Sequence, residues 1–173
     1  ISYVNKRIEE AKKANEILGS KILDYYDFPD NALDSISLLS MIKIIEEHIF
    51  LLNPDWIITH SQDELNIDHQ LVGRAVITAN RPNYEKKRIP LLLASVPSSN
   101  EWSIYPFRQK SNFYVDINAQ KELKYKAMEC YESESRKEPN PRSIKLLKSR
   151  DSLIGAESGL NCAESFYLHR LTI

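Results

Sequence analysis

The segment WIITHSQDELNIDHQLVGRAV, residues 56–76, gathers side chains that can carry acid–base or metal chemistry. An apolar run ends at His60 and an amphipathic run begins near Asp68. Two histidines, three acids and an asparagine lie in or beside the loop between these runs. Imidazole and carboxylate groups are common zinc ligands and general acids or bases in enzymes. We therefore expect a strand-to-helix loop here and take it as the first candidate for a functional site.

His69 falls in the first turn of the predicted helix. The positive end of the helix dipole disfavours the imidazolium there and keeps the ring neutral, which is the form that binds metals. In the alternative interpretation, Asn66 and Asp68 cap the helix and His69 only forms a nearby hydrogen bond. Catalytic zinc needs about three protein ligands. The segment has no HExxH motif and no histidine pair one helical turn apart, so spacing alone leaves both interpretations open.

Several other polar residues have ordinary structural explanations. His60, at the predicted strand end, is typical of a packed, hydrogen-bonded histidine, and His48 and His169 lie in amphipathic segments. Arg7 fits a solvated helix face or a local ion pair, and Asp30 in FPDN fits a turn. None of these residues would be assigned a function from its spacing alone.

The elements around the candidate loop alternate between helix and strand. Apolar residues at helical spacing predict the helices, with Gly19 ending the first and Asp34 or Ser35 capping the second. This order favours βαβ units, hence an α/β fold with a mostly parallel sheet and helices on both faces. The predicted helices are 3–20, 36–52, 67–80, 118–135 and one within 136–155, and the predicted strands are 21–28, 56–60, 89–96 and 163–173.

Composition sets the broad class of protein. A chain of 173 residues with 42% hydrophobic content can bury a real core, so we expect residues 1–173 to form a single domain. The net charge of -1 creates no field that would drive binding to nucleic acid or an anionic membrane. Residues 136–150 hold six basic residues and one acid, a pattern more typical of a solvated surface than of a phosphate site.

Cysteine usage and hydropathy bear on the compartment. The two cysteines, Cys130 and Cys162, are not in a CxxC arrangement, and there is neither a secretory h-region nor an apolar run of transmembrane length. We therefore expect a cytoplasmic protein in a reducing compartment.

Read together, several stretches resemble the LmbE-like, or PIG-L, superfamily of zinc-dependent N-acetylglucosaminyl de-N-acetylases. The resemblance implies a Rossmann-like domain with one zinc ion, whose bound water attacks an acetamide carbonyl and releases an amine and acetate. The stretches that carry it are RIEEAKKANEILG, DFPDNAL, NPDWIITHSQDELNIDHQLVGRAVITANRP, SVPSSNEW, SNFYVDI, KAMECYESE, PNPRS and GLNCAESFYLHR.

The resemblance also implies roles for six residues. They form a metal ligand with its supporting groups and a set of contacts to the sugar. The matching positions are His69 as zinc ligand, Asp68 as the group that orients the metal site, Asn66 beside the reacting carbonyl, Arg7 and Asp30 as sugar-binding residues, and Arg142 as a pocket residue.

The sequence departs from the family pattern in two places. No H-P-D-D-E motif is present, although the family takes two zinc ligands and its general base from it. We expect that motif and the N-terminal strand or strands to lie upstream of Ile1. We also expect residues 1–173 alone to be inactive. Many members also have a histidine where this chain has Asn66, which can donate a hydrogen bond but cannot shuttle a proton.

The sequence therefore predicts a zinc-dependent N-deacetylase, a hydrolase acting on an N-acetylated amino sugar or its conjugate. A homo-oligomer is compatible with this activity, and neither nucleic acid nor membrane is an expected partner. The alternative is a non-catalytic sugar-binding relative that lacks the metal motif. A nucleotide-binding function, which the Rossmann-like pattern also suggests, is set aside because none of the four glycines lies in a G-x-G-x-x-G motif.

Overall fold

The computed structural model describes residues 3–22, 24–83, 85, 87–103 and 110–172. The chain divides into two compact units. Unit 1 consists of Ile1–Tyr26 and Tyr114–Glu164, and unit 2 consists of Asp27–Phe113 and Ser165–Ile173. The single domain expected from the sequence stays a prediction, and each unit is described by itself.

Helices and strands alternate much as the sequence predicts. Among the helices in the described part of the chain, none is long and apolar enough to cross a bilayer. The helices are α1 (Tyr3–Leu18), α2 (Leu38–Leu52), α3 (Ile67–Ala79), α4 (Lys121–Glu129) and α5 (Ile144–Ser158), with a 3-10 turn at Leu33–Ser35. The strands are β1 (Ile57–His60), β2 (Leu91–Ala94), β3 (Phe113–Asp116) and β4 (Ala163–Arg170).

The four described strands form one sheet in the order β1-β2-β4-β3. β1 and β2 are parallel, with α3 in the crossover between them, and β2 and β4 are antiparallel. The α/β class is thus confirmed, but the described sheet is mixed where the sequence predicts a mostly parallel one. An antiparallel neighbour needs no crossover helix, and the apolar content of a strand does not encode its direction.

In unit 2, the packing of α3 determines where the candidate loop lies. Ala75 and Ala79 on α3 pack with Met41 and Ile42 of α2 in a buried cluster. A Cβ atom on Gly73 would lie 2.5 Å from the backbone oxygen of His60, so only glycine allows α3 to approach the end of β1 this closely. The end of β1 and the first turns of α3 are therefore held together.

Unit 1 is built mainly from helices, and α1 packs against α4. Its buried residues include Ala14, Tyr125 and Leu147. Lys124 on α4 pairs at 2.8 Å with the carboxylate of Asp151 on α5, which is buried. A buried carboxylate needs a charged or hydrogen-bonding partner. This ion pair therefore stabilises the contact between α4 and α5.

Two local predictions are wrong. Residues 21–22 and 24–28 contain no strand, although an apolar and aromatic pattern predicted one over 21–28. The Asp24 carboxylate accepts a hydrogen bond from the backbone N–H of Tyr25, and both Tyr25 and Tyr26 are exposed. A local side-chain hydrogen bond thus takes the place of backbone hydrogen bonds to a neighbouring strand. α2 begins after Ser37, whereas the predicted caps Asp34 and Ser35 lie in the preceding 3-10 turn.

Candidate metal centre

The candidate loop joins the end of β1 to the start of α3. Asn66 is the N-cap of α3, and its side-chain oxygen accepts hydrogen bonds from the backbone N–H groups of Asp68 at 2.8 Å and His69 at 3.2 Å. These N–H groups have no partner within a helix, so the cap stabilises its first turn. The capping role considered for Asn66 in the sequence is therefore present, and it fixes the backbone that carries His69.

The side chain of His69 contacts a carboxylate that lies earlier in the same loop. Its Nδ1 atom is hydrogen-bonded to Oε2 of Glu64. The Glu64 side chain is fully buried, and its Oε1 atom lies 3.8 Å from Nδ1 of His60. The two imidazole rings are stacked, with centroids 4.1 Å apart and planes 6° from parallel. One buried carboxylate thus faces two stacked histidines.

The electrostatics of this cluster keep Glu64 ionised. Burial acts to raise the pKa of the Glu64 carboxyl, but the attraction of the His60 and His69 imidazoles outweighs burial and holds the pKa below its ordinary value. Within the described residues, Oε1 of Glu64 and Nδ1 of His60 are both buried without a hydrogen-bond partner. Such atoms are costly unless a proton or a cation is shared between them.

The donor set of the cluster fits a zinc ion. One potential ligand atom from each of His60, Glu64 and His69 lies within 4.8 Å of the others. Imidazoles are common ligands of catalytic zinc, a carboxylate beside them can hold a ligand through its second ring nitrogen, and the buried unpaired atoms show that the cluster favours positive charge. Because Nδ1 of His69 is hydrogen-bonded to Glu64, Nε2 is the nitrogen of this ring that is left for a metal.

Asp68 fastens a second loop to the start of α3. Its carboxylate accepts hydrogen bonds from the backbone N–H groups of Asn31 at 2.7 Å and Leu33 at 3.0 Å. Asn31 adopts the left-handed conformation, and its side-chain amide donates to Asp30 at 3.3 Å. The structure thus brings Asp30, Asp68 and the Asn66 cap to one end of α3, while their assigned roles stay predictions.

A third loop braces the segment that carries Glu64. The backbone N–H of Leu65 donates to the carbonyl of Ser99 at 3.2 Å, and the Ser103 hydroxyl donates to the carbonyl of Asp63. Ser98 in the same loop is buried in the left-handed conformation, and its N–H donates to Glu101 at 2.7 Å. Backbone bonds on both sides of Glu64 therefore hold the segment in place.

The two predicted substrate-binding arginines lie in unit 1, where both pair with Glu134. Nη1 of Arg7 lies 3.0 Å from Oε1 of Glu134, and Nη1 of Arg142 is hydrogen-bonded to Oε2 of the same carboxylate. Arg7 also donates to the Ser133 hydroxyl at 3.2 Å, and its guanidinium lies 5.6 Å from the centroid of the Tyr131 ring. The local ion pair considered for Arg7 is present, and substrate contacts by both arginines stay predictions.

Glu64 is the residue that reasoning from the sequence missed. An acid between His60 and His69 in a short strand-to-helix loop was the available signal. Four other polar side chains, Ser61, Gln62, Asp63 and Asn66, lie in that loop, and spacing cannot say which of them turns inwards. His60, expected to be a packed histidine, does stack on His69, but its Nδ1 atom has no hydrogen-bond partner in the part of the chain that the structure describes.

Comparison with known families and relatives gives two sequence matches. The family model for PIG-L, described as GlcNAc-PI de-N-acetylase, matches residues 1–80, which include the whole candidate loop. A diacetylchitobiose deacetylase of Thermococcus kodakarensis is 27% identical over 179 residues, with 95% of this chain covered. The chain spans 65% of the length of that relative.

Solved structures of three proteins have the same fold. TT1542, a conserved protein of Thermus thermophilus, superimposes with a TM-score of 0.73 at 17% identity over all of this chain and 77% of its own. The 4-carboxy-2-hydroxymuconate hydratase GalB of Pseudomonas putida gives 0.72 at 19% identity, covering 98% of this chain and 73% of its own.

The third structure is the N,N′-diacetylchitobiose deacetylase of Pyrococcus horikoshii, in complex with an inhibitor. It gives a TM-score of 0.71 at 18% identity, covering 95% of this chain and 63% of its own. At such identities the three structures establish the fold alone, since a hydratase and a deacetylase share it. Together, the comparisons confirm that this chain has the fold of LmbE-like deacetylases and that its sequence resembles the PIG-L family.

Proposed function

We propose that the protein is a zinc-dependent hydrolase that removes the acetyl group from an N-acetylated amino sugar or its conjugate. The observation that carries this proposal is the contact of His69 with the buried carboxylate of Glu64, at a loop inside the matched PIG-L residues. The sequence likeness to a diacetylchitobiose deacetylase supports the reaction and the class of substrate.

In this proposal His69 holds the metal through Nε2, because Glu64 occupies Nδ1. Zinc bound there would supply a Lewis acid for the acetamide carbonyl and lower the pKa of a water molecule. Asn66 uses its side-chain oxygen for the helix cap, and its NH2 group donates one hydrogen to Oδ1 of Asn31 at 3.4 Å, so the second hydrogen is the one that can donate to a developing oxyanion. It cannot transfer a proton, so proton transfer to the leaving amine falls to another group.

Asp68 contributes through the loop that it holds. By accepting two backbone hydrogen bonds from Asn31 and Leu33, it fixes the turn in which the exposed carboxylate of Asp30 lies. A carboxylate presented on a fixed turn can accept hydrogen bonds from sugar hydroxyls. Arg7 and Arg142 are the proposed further sugar contacts, and each would share its guanidinium with Glu134.

The test is metal content together with acetate release from the natural protein. We expect about one zinc ion per chain and release of acetate from N-acetylglucosamine or N,N′-diacetylchitobiose, both lost after chelation and restored by zinc. A protein without zinc that releases no acetate from either sugar, while zinc is supplied in excess, would contradict the proposal. If that protein still binds the sugars, the non-catalytic sugar-binding alternative holds instead.

A further inference from the structure

We infer that Glu64 is a positioning residue that fixes the orientation and the tautomer of His69, so that Nε2 of this ring is presented to a metal ion. The inference rests on the proposed function for the metal, but its structural part concerns only this chain. The family resemblance assigned no role to Glu64, and the metal-orienting role that it assigned to Asp68 is not supported by any contact of Asp68 with the His69 ring among the described residues.

The burial of Glu64 is the first observation. Its side chain has no accessible surface, although a carboxylate loses a large hydration energy when it is buried. Buried carboxylates usually pair with arginine or lysine, as Asp151 does with Lys124 in unit 1. The partners of Glu64 are two imidazoles, neither of which is a permanent cation like arginine. Ordinary ion pairing therefore does not explain why a carboxylate is buried here.

The contact between Oε2 of Glu64 and Nδ1 of His69 offers a better explanation for the burial of Glu64. A carboxylate only accepts hydrogen bonds, so the contact of Oε2 with Nδ1 requires that Nδ1 of His69 carries a proton. In a neutral imidazole the other nitrogen, Nε2, then has the free lone pair. Histidine ligands in metalloproteins commonly donate their second N–H to a carboxylate, which fixes the ring and raises its basicity.

His60 restricts the same ring from its face. Its imidazole is stacked on that of His69, 4.1 Å away and nearly parallel, so it covers one face of the His69 ring. Nδ1 of His60 is turned towards the second oxygen of Glu64 at 3.8 Å. The carboxylate thus faces both rings, and the stacked pair forms one assembly around it.

Glu64 is itself held by its neighbours along the chain. The side-chain amide of Gln70 donates to the carbonyl of Glu64, and the next residue, Leu65, donates its N–H to Ser99. A supporting residue can position a ligand to a fraction of an ångström only when its own backbone is fixed. These bonds supply that condition.

The tautomer of His69 in the metal-free protein tests the inference directly. Long-range 1H–15N spectra at about pH 8, above the ordinary histidine pKa, locate the ring proton without metal or substrate. We expect it on Nδ1 in the wild type, on Nε2 to a large extent in Glu64→Ala, and again on Nδ1 in Glu64→Gln, whose amide oxygen can still accept. Asp63→Asn, one residue away in the same loop, is the control and should match the wild type.

A wild-type His69 with its proton on Nε2 would overturn the inference, whether or not the variants fold. So would an unchanged tautomer in a folded Glu64→Ala protein. Failure of the proposed function is a separate result, because it appears as missing zinc or missing acetate release while the tautomer is read without either.

Zinc affinity then separates a positioning residue from a ligand. Loss of an outer-shell partner typically weakens metal binding by about 10- to 100-fold, and we expect a loss in that range for Glu64→Ala, with partial rescue in Glu64→Gln. A loss in Glu64→Ala as large as that in His69→Ala would overturn the inference, because it would make Glu64 itself a ligand.

Discussion

Glu134 in unit 1 and Glu64 in unit 2 each have two nitrogen partners. The two carboxylates differ in their exposure and in the chemistry of those partners. Glu134 is partly exposed and binds two arginines, which are always charged and have no lone pair to offer. Glu64 is fully buried and faces two histidines, whose rings can give a proton to the carboxylate and keep a lone pair for a metal.

The difference shows why a count of charged neighbours does not identify a site. In the Glu134 cluster, two guanidinium groups pair with one carboxylate, and partly exposed ion pairs of this kind contribute little to stability. In the Glu64 cluster, two buried atoms have no hydrogen-bond partner among the described residues, and Nε2 of His69 is left for a metal ion. Equivalent substitutions in the two units should therefore differ in their effects on zinc binding.

The largest expected effect is that of His69→Ala on activity. Removing the ligand should lower acetate release by more than the roughly 10- to 100-fold that is typical of an outer-shell change, and zinc content should fall with it. His48→Ala, a histidine on α2, is the matched control and should retain both. Activity assays with zinc analysis of the same samples check this, and an active His69→Ala protein would contradict it.

A pair of glycine substitutions compares the two units for stability. A Cβ atom would lie 2.5 Å from the His60 oxygen at Gly73 in unit 2, and 2.8 Å from backbone atoms of 160–162 at Gly155 in unit 1. Overpacking of this kind typically costs about 1–3 kcal/mol, so both alanine variants should unfold at lower temperature.

Only Gly73→Ala should also disturb the metal centre, because its contact atom belongs to His60. Thermal unfolding and zinc affinity, measured on both variants, check this difference. Equal zinc affinities in the two variants would show that the end of β1 does not position the site.

Asp68→Asn should have a smaller effect. The amide keeps one acceptor oxygen, so one of the two hydrogen bonds to Asn31 and Leu33 is lost, at a typical cost of about 0.5–1.5 kcal/mol. Chemical denaturation measures this cost. If Asp68 acts through the loop that it holds, the Michaelis constant for the sugar should rise more than the zinc affinity falls, and the reverse pattern would favour a role at the metal.

The smallest effect is a change in pH dependence in unit 1. The Ser133 hydroxyl and N–H donate to the Glu10 carboxylate and, with Lys6 and Arg7 nearby, hold its pKa below the ordinary value despite burial. A depressed pKa stabilises the folded state above the unfolded pKa, and that stability is lost as the pH falls through the folded pKa. Glu10→Gln should therefore flatten the decline of stability with pH below about 4.5. Denaturation curves between neutral and acid pH would show an unchanged slope if this is wrong.

Local signals in the sequence were sufficient to predict the start of α3 and the position of His69 beside the candidate loop. Asn66 before an apolar periodic run predicts a helix start, and the structure places the cap there. The position of His69 in the first turn follows from the same pattern. Glu64 could not be chosen over Asp63 or Asp68, because burial of a loop side chain depends on the residues that pack over it, here the loop holding Ser99 and Ser103.

The same reason explains the errors in the fold. The residues of β4 do not encode its direction. Its antiparallel pairing with β2 depends on how the preceding part of the chain brings it to the sheet. Residues 21–28 have the composition of a strand, but strand formation needs a neighbour and a covered face, and the exposed Tyr25 and Tyr26 lack that cover. Propensity is local, whereas burial and pairing are not.

X-ray absorption at the zinc edge of the zinc-loaded natural protein would show whether His69 binds the metal. We expect imidazole nitrogen at about 2.0–2.1 Å from the metal, one imidazole fewer for any zinc left in His69→Ala, and an unchanged imidazole number in Glu64→Gln. A wild-type spectrum without imidazole, or one that is the same in His69→Ala, would contradict the assignment of His69 as the metal ligand held by Glu64.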